Sequence, residues 1–389
     1  MPEYNIGMKN IAILGCTGSI GTQALDVVRQ QPETGRICAL SAKSNAELVL
    51  KQAIEFKPAL VAVEDEAAAR SISSRLPKGV ELICGKDAAV KAAAFDMADI
   101  VVNAISGFSG TLPLIAALES GKRVALANKE SIVCAHELVE KAKAKGNGEI
   151  VPVDSEQSAI FQCLPAGRKS ELRRIILTAS GGPFVDFTRE QLKRVTPEMA
   201  SHHPTWNMGR KITVDSASLF NKGLEIMEAA YLFGVDGESI SVLIHRQSVV
   251  HSMVEFCDSS IIAQLSAPDM RLAIHYALTY PDRCQSRFGS IDLAKIAALS
   301  FEEPDTERFR AIPLAYHALK AGGIMPAVYN GANEAAVGLF LKKEISFDCI
   351  AQRVERALEK AENHAITSFE ELLEADRMAR EAALKGQSI

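Results

Sequence analysis

Short apolar runs alternate with stretches of helical periodicity through the first third of the chain. KNIAILG (9–15) is a β-branched run, and SIGTQALDVVRQQ (19–31) follows with apolar positions spaced three and four apart. RICALSA, ALVAV, VELICG, DIVVNAIS and RVALAN repeat the pattern, with alanine-rich helical stretches between most of them. Such alternation predicts a parallel sheet covered by helices. Further on, RRIILTASGGPF (173–184) reads as a strand running into small residues. KITVDSASLFNKGLEIMEAAYLFG (211–234) reads as a short strand followed by a well-patterned helix, and 241–278 as strands, a turn at Pro268 and a helix. A less patterned linker (282–311) leads to helical periodicity over Asn333–Lys343, Phe347–His364 and Ser368–Lys385, whose charged faces are expected to meet solvent.

The junction between the first strand and the first helix carries GCTGSIG, with glycines at 15, 18 and 21. This GxxGxxG is a variant of the dinucleotide fingerprint. Gly15 permits a tight turn, and backbone N–H groups at the helix start can face a pyrophosphate. A helix start packed tightly for structural reasons is the competing reading. The second strand ends in Lys43, Ser44 and Asn45, with no acid until Glu47. A lysine and a serine suit a 2′-phosphate, which favours NADP(H) over NAD(H); a solvated Lys43 is the alternative. AISGFSG (104–110) and ALANKES (125–131) end later strands, and the second places Asn128, Lys129 and Glu130 where open α/β sheets bind ligands.

VPVDSEQS (151–158) raises an electrostatic question. If the strand runs on, alternation points Asp154 and Glu156 the same way, and two like charges need a cation or solvent between them. On the helix after residue 214, Ser218, Asn221, Lys222 and Glu225 recur at three- and four-residue spacing, and Asp215 or Ser216 can cap it. A solvated face with a Lys–Glu pair is the plain explanation. The sharper one joins Lys222 and Asn221 with Ser180 and Ser216 as a phosphate site. Glu225 then becomes a third carboxylate beside Asp154 and Glu156, and hard oxygen ligands select Mg²⁺ or Mn²⁺. Trp206, the one tryptophan, sits in the polar stretch SHHPTWNMGRK (201–211) as a half-buried plug or a lid over a ligand. His245 and His251 read as packing or interface residues.

Composition narrows the classes. A chain of 389 residues with 48% hydrophobic and 23% charged residues describes a globular protein of two or three domains. A net charge of −5 without a basic stripe gives no reason to expect nucleic acid. No apolar run reaches the roughly 18 residues of a membrane span, and MPEYNIGMKN lacks the layout of a secretion signal. The eight cysteines form no CxxC pair and fit buried thiols of a reducing compartment, so a cytoplasmic location without a zinc cluster is expected.

GCTGSIG, ALANKES, VPVDSEQSAIFQCL, LTASGGPF, HHPTWNMGRKITVDSASLFNKGLEIMEA and PAVYNGANEAAV (326–337), in this order, resemble the 1-deoxy-D-xylulose 5-phosphate reductoisomerase family over essentially the whole chain from Met8 on. The resemblance implies an α/β fold with an N-terminal Rossmann-like parallel sheet (1–153), a central α/β catalytic and dimerisation domain (154–281), a linker (282–311) and a C-terminal helical domain (312–389). It implies NADPH held by Thr17, Gly18, Ser19, Ile20, Asn128, Glu130 and Gly209. Lys43-Ser44-Asn45 stands where the family often reads Gly-Lys/Arg-Asn. The implied metal ligands are Asp154, Glu156 and Glu225, for Mg²⁺ or Mn²⁺ with Co²⁺ as a further possibility. Ser180, Ser216, Asn221 and Lys222 match the substrate-phosphate contacts, Lys129, Ser155 and His203 the rest of the sugar phosphate, and Trp206 and Met208 a lid. The implied reaction is a retro-aldol and aldol rearrangement followed by hydride transfer, in a homodimer without nucleic-acid or membrane partners. Two alternatives stay open: a reductase of another phosphorylated carbonyl compound, and a nucleotide-sensing protein that has lost its chemistry.

Overall fold

The computed structural model describes residues 8–202, 206 and 209–385. His203 and Met208 therefore lie outside the described residues. The chain divides into two compact units: one takes residues up to Ser131, Val139–Ser158 and Asp269–Gly289, the other Ile132–Leu138, Ala159–Pro268 and the chain from Ser290 onward.

The first unit is built on seven strands: β1 (Asn10–Leu14), β2 (Arg36–Ala42), β3 (Leu60–Val63), β4 (Glu81–Cys84), β5 (Ile100–Asn103), β6 (Arg123–Leu126) and β7 (Glu149–Pro152). They form one sheet in the order β4-β3-β2-β1-β5-β6-β7, with every pairing parallel. Helices α1 (Ser19–Gln30), α2 (Ala46–Phe56), α3 (Glu66–Ile72), α4 (Ala88–Ala93), α5 (Thr111–Glu119) and α6 (Lys129–Gly146) alternate with the strands, and α7 (Ser155–Cys163) follows β7. Central strands covered on both faces read as continuous apolar runs, and Ile11–Leu14, Val61–Val63 and Val101–Val102 are all fully buried. The expected parallel sheet is thus the observed one, and the order reverses between β1 and β5, where such sheets open a crevice for ligands.

The second unit holds a mixed sheet of β8 (Leu172–Ala179), β9 (Ile240–Ile244), β10 (Val250–Phe256) and β11 (Ile261–Leu265), in the order β11-β10-β8-β9. The short helices α8 (Arg189–Leu192) and α9 (Pro197–Ala200) precede α10 (Arg210–Ala217) and α11 (Phe220–Phe233). After α12 (Met270–Thr279), which belongs to the first unit, come α13 (Leu293–Ile296), α14 (Ala311–Ala321), α15 (Met325–Leu341), α16 (Cys349–Lys360) and α17 (Phe369–Leu384). Ser368 caps α17 by accepting from the Glu371 N–H, with the Glu371 carboxylate reaching back to the Ser368 N–H.

Three local expectations are corrected. Residues 211–214 form α10, not a strand, because Thr213 Oγ1 bonds back to the Gly209 carbonyl at 2.8 Å and packing against α15 overrides β-branched preference. Neither Asp215 nor Ser216 caps the next helix: both are helical residues of α10, and Leu219 takes the N-cap of α11 at φ +62°. Asp154 and Glu156 do not alternate along a strand, since β7 stops at Pro152 and α7 begins at Ser155.

Candidate active site

In the first unit the glycine turn is shaped by close approach. A Cβ at Gly15, which sits at φ +73°, would lie 2.6 Å from the Ala104 carbonyl oxygen, and one at Gly21 would lie 2.2 Å from that of Gly15. Only glycine lets β1, α1 and the end of β5 come together this way. The Cys16 backbone is held from two sides: its N–H donates to Ser41 at 2.9 Å, and its carbonyl accepts from Gln52 Nε2 at 2.9 Å. Gln52 is buried on α2, so the turn is tied to the helix that follows Lys43-Ser44-Asn45. Gly18, Ser19 and those three residues are exposed, while Thr17 and Ile20 are half-buried. Asn45 caps α2 through the Leu48 N–H, and Lys43 makes a loose 3.9 Å ion pair with Glu64 while its side chain stays 80% exposed.

Asn128 is occupied internally. Its Oδ1 caps α6 at the Ser131 N–H (3.0 Å), and its Nδ2 donates to the carbonyls of Ile105 and Gly107, which fixes the 104–110 turn. Lys129 is buried and forms an ion pair with Asp154. Asp154 occupies the N-cap of α7: its carboxylate accepts from the Glu156 N–H at 3.3 Å, and its carbonyl from the Ser158 N–H at 2.8 Å. Glu156 follows in the first helical turn and accepts from the Ser155 hydroxyl. Carboxylate oxygens of Asp154 and Glu156 lie within 4.8 Å of each other. A helix N-terminus offsets part of that repulsion, and Lys129 offsets more.

The second unit gathers its polar groups on buried helices. Lys222 and Glu225 are 3% and 1% exposed and form an ion pair; Asn221 donates to the same carboxylate. A solvated helix face is excluded. Ser218 does not share that face, for it ends α10 and bonds back to the Val214 carbonyl at 2.8 Å. Ser180 sits before Gly181 and Gly182, successive residues at φ +82° and +67°, and its hydroxyl accepts from the Gly182 N–H at 3.2 Å. Gly182 is pressed against α10, where a Cβ would lie 3.0 Å from the Ser216 carbonyl oxygen. Ser180, Ser216 and Trp206 are half-buried and Gly209 is exposed.

The Trp206 ring lies 6.0 Å from that of His251, a contact that sequence spacing gives no way to see. Burial pushes the His251 imidazole down to about 4. His245 packs as expected, its Nε2 accepting from the N–H groups of Val249 and Val250. No helix among the described residues is long and apolar enough to cross a membrane.

The parallel sheet and its glycine turn define a dinucleotide-binding α/β protein of the Rossmann class. Family models for 1-deoxy-D-xylulose 5-phosphate reductoisomerase match residues 11–136, and two for its C-terminal domains match 150–233 and 265–382. The reductoisomerase of Chlorobaculum tepidum is 51% identical over 97% of this chain and 99% of its own length; that of Geobacillus sp. strain WCH70 is 48% identical over 96% and 98%. The Zymomonas mobilis enzyme, solved in complex with NADPH, superposes with a TM-score of 0.92 at 41% identity, covering 98% of this chain and all of that one. A second reductoisomerase, solved with NADPH, fosmidomycin and magnesium, gives 0.92 at 36% identity, covering 97% and 98%. The chain belongs to the 1-deoxy-D-xylulose 5-phosphate reductoisomerase family. It is an enzyme that rearranges and reduces 1-deoxy-D-xylulose 5-phosphate to 2-C-methyl-D-erythritol 4-phosphate.

Proposed function

We propose that Asp154, Glu156 and Glu225 hold one divalent cation, Mg²⁺ or Mn²⁺ with Co²⁺ as a substitute, and that the rearrangement runs at that ion with NADPH as reductant. The observation that carries this is the pair of acids at the start of α7: two carboxylates within 4.8 Å on one helix end form a hard-oxygen donor set with no sulfur or imidazole in it. Glu225, a buried carboxylate on α11, supplies the third anionic ligand. When bound, the cation withdraws electron density from the substrate's carbonyl and hydroxyl oxygens while the carbon skeleton rearranges.

The chain's own groups bind and orient. Thr17, Gly18, Ser19 and Ile20 contact the cofactor, with N–H groups at the start of α1 facing its pyrophosphate, and Lys43, Ser44 and Asn45 meet its 2′-phosphate. Asn128 and Glu130 shape the nicotinamide end, and Gly209 also contacts the cofactor. Lys222, Asn221, Ser180 and Ser216 hold the substrate's phosphate, whose binding energy is available for orientation. Lys129, Ser155 and His203 take the remaining oxygens, and Trp206 and Met208 cover the site. The N-terminal sheet (1–153) carries the cofactor and 154–281 the chemistry and a homodimer contact, with 282–311 linking to the helical 312–389. Eight cysteines outside any disulfide among the described residues support a cytoplasmic location.

Glu225→Gln tests the metal reading. Turnover with Mg²⁺ is expected to collapse while NADPH binding stays intact; parallel loss of both would assign Glu225 to the scaffold and overturn it.

A further inference from the structure

Helix α15, in the C-terminal helical part of the chain, touches α10 and α11, the helices that carry proposed phosphate ligands. Tyr329 and Asn333 lie one turn apart on α15, and both are fully buried. Asn333 Nδ2 donates to the Asp215 carboxylate at 2.9 Å, immediately before Ser216 on α10. The Tyr329 hydroxyl, which donates to the Ala311 carbonyl at 3.0 Å, lies against Gly223, immediately after Lys222 on α11; a Cβ there would meet the hydroxyl at 2.0 Å. Asp215 is 1% exposed and also pairs with Lys211 at 2.8 Å.

Packing alone does not account for these amides. The Asn333 Oδ1 has no partner among the described residues, and neither polar atom of Asn330, one turn back, has one. Leaving such atoms unpaired in the interior is costly, so an apolar side chain of similar shape would serve a purely structural contact better. The one bond Asn333 does make fixes the rotation of α10, and rotation decides where Ser216 points. Buried polar pairs act most clearly in this way, by selecting one register among several. We propose that Asn333 and Tyr329 are positioning residues for the substrate's phosphate, holding Ser216 on α10 and Lys222 on α11 in one arrangement from a shared ridge on α15. This rests on the assignment of Ser216 and Lys222 to the phosphate.

The test is a kinetic double-mutant cycle on the full-length enzyme with Asn333→Leu and Ser216→Ala. Asn333→Leu is expected to raise KM for 1-deoxy-D-xylulose 5-phosphate about tenfold, the loss of one hydrogen bond to a charged group, with KM for NADPH within about twofold. The double variant should be no worse than Ser216→Ala alone, because Asn333 acts through Ser216. Tyr329→Phe should raise the same KM by a few-fold. If Ser216→Ala shifts the substrate KM but the two changes multiply, or if Asn333→Leu moves both KM values equally, the positioning proposal is overturned. If Ser216→Ala leaves KM unchanged, the phosphate assignment itself fails. Should Asn333→Leu not fold, Asn333→Ala is read in its place: it removes the amide that donates to Asp215 without adding bulk, and a substrate-specific KM increase that merges with that of Ser216→Ala supports the proposal, whereas an unchanged KM overturns it.

Discussion

The two units differ in how they present the groups proposed to meet cofactor and phosphate, although each holds a largely buried ion pair, Lys129–Asp154 in the first and Lys222–Glu225 in the second. In the first, the groups proposed to meet the cofactor, the buried Asn128 apart, are exposed or half-buried, and much of the buried work is done by backbone: a glycine turn, the Cys16 carbonyl on Gln52, the 104–110 carbonyls on Asn128. In the second, the charged groups proposed for phosphate and metal are interior, with Lys222 and Glu225 both under 4% exposed on α11. A turn of N–H groups recognises a pyrophosphate wherever chain geometry allows it. A buried ammonium and carboxylate are stable only while each has its partner, so the second unit ties its stability to its chemistry.

Breaking the buried pair should separate the units most sharply after the metal variant. Lys222→Met leaves the Glu225 charge buried with one partner fewer, and a destabilisation of about 3–5 kcal/mol is expected in denaturant titrations. A change under about 1 kcal/mol would return the pair to the solvated class. The next effect is a pH dependence specific to the second unit. The folded His251 imidazole is pushed by burial to about 4 from the ordinary 6.5, so below pH 6.5 the unfolded chain takes a proton that the folded chain refuses. Its contribution to stability is complete above 6.5, is lost as pH falls toward 4, and levels off beyond; the integrated loss is on the order of 3 kcal/mol. Thermal unfolding of His251→Gln should lack that slope, and identical slopes would contradict it. Smallest is Gln52→Leu, which frees the Cys16 carbonyl. About 1 kcal/mol, or roughly a fivefold rise in KM for NADPH with KM for the sugar phosphate unchanged, is expected; equal shifts in both would mean Gln52 supports the unit as a whole.

The same contrast explains what the sequence makes legible. The parallel sheet is readable because buried strands are unbroken apolar runs, and β2 spans the RICALSA run end to end. The glycine turn is readable because close approach admits only glycine. Residues 211–218 are not: KITV has strand propensity, and the helix there is supported by the Thr213 back-bond to Gly209 and by the Asn333 amide, which donates to Asp215 from 118 positions away. The acids of VPVDSEQS are identifiable as a pair but their geometry is not, because a cap on α7 replaces strand alternation. The polar side of α11 has the spacing of a solvated face, and nothing local in it announces that Lys222, Glu225 and Glu228 are all interior. His251 against Trp206 is a contact that only the folded chain creates.

The most direct measurement is NADPH oxidation with 1-deoxy-D-xylulose 5-phosphate in Mg²⁺, after chelation, and after Mg²⁺ is restored. Consumption that chelator abolishes and Mg²⁺ returns is the predicted result, and it gives Asp154 and Glu156 their purpose. Consumption indifferent to chelator would contradict the account and leave the two acids as the cap and first turn of α7.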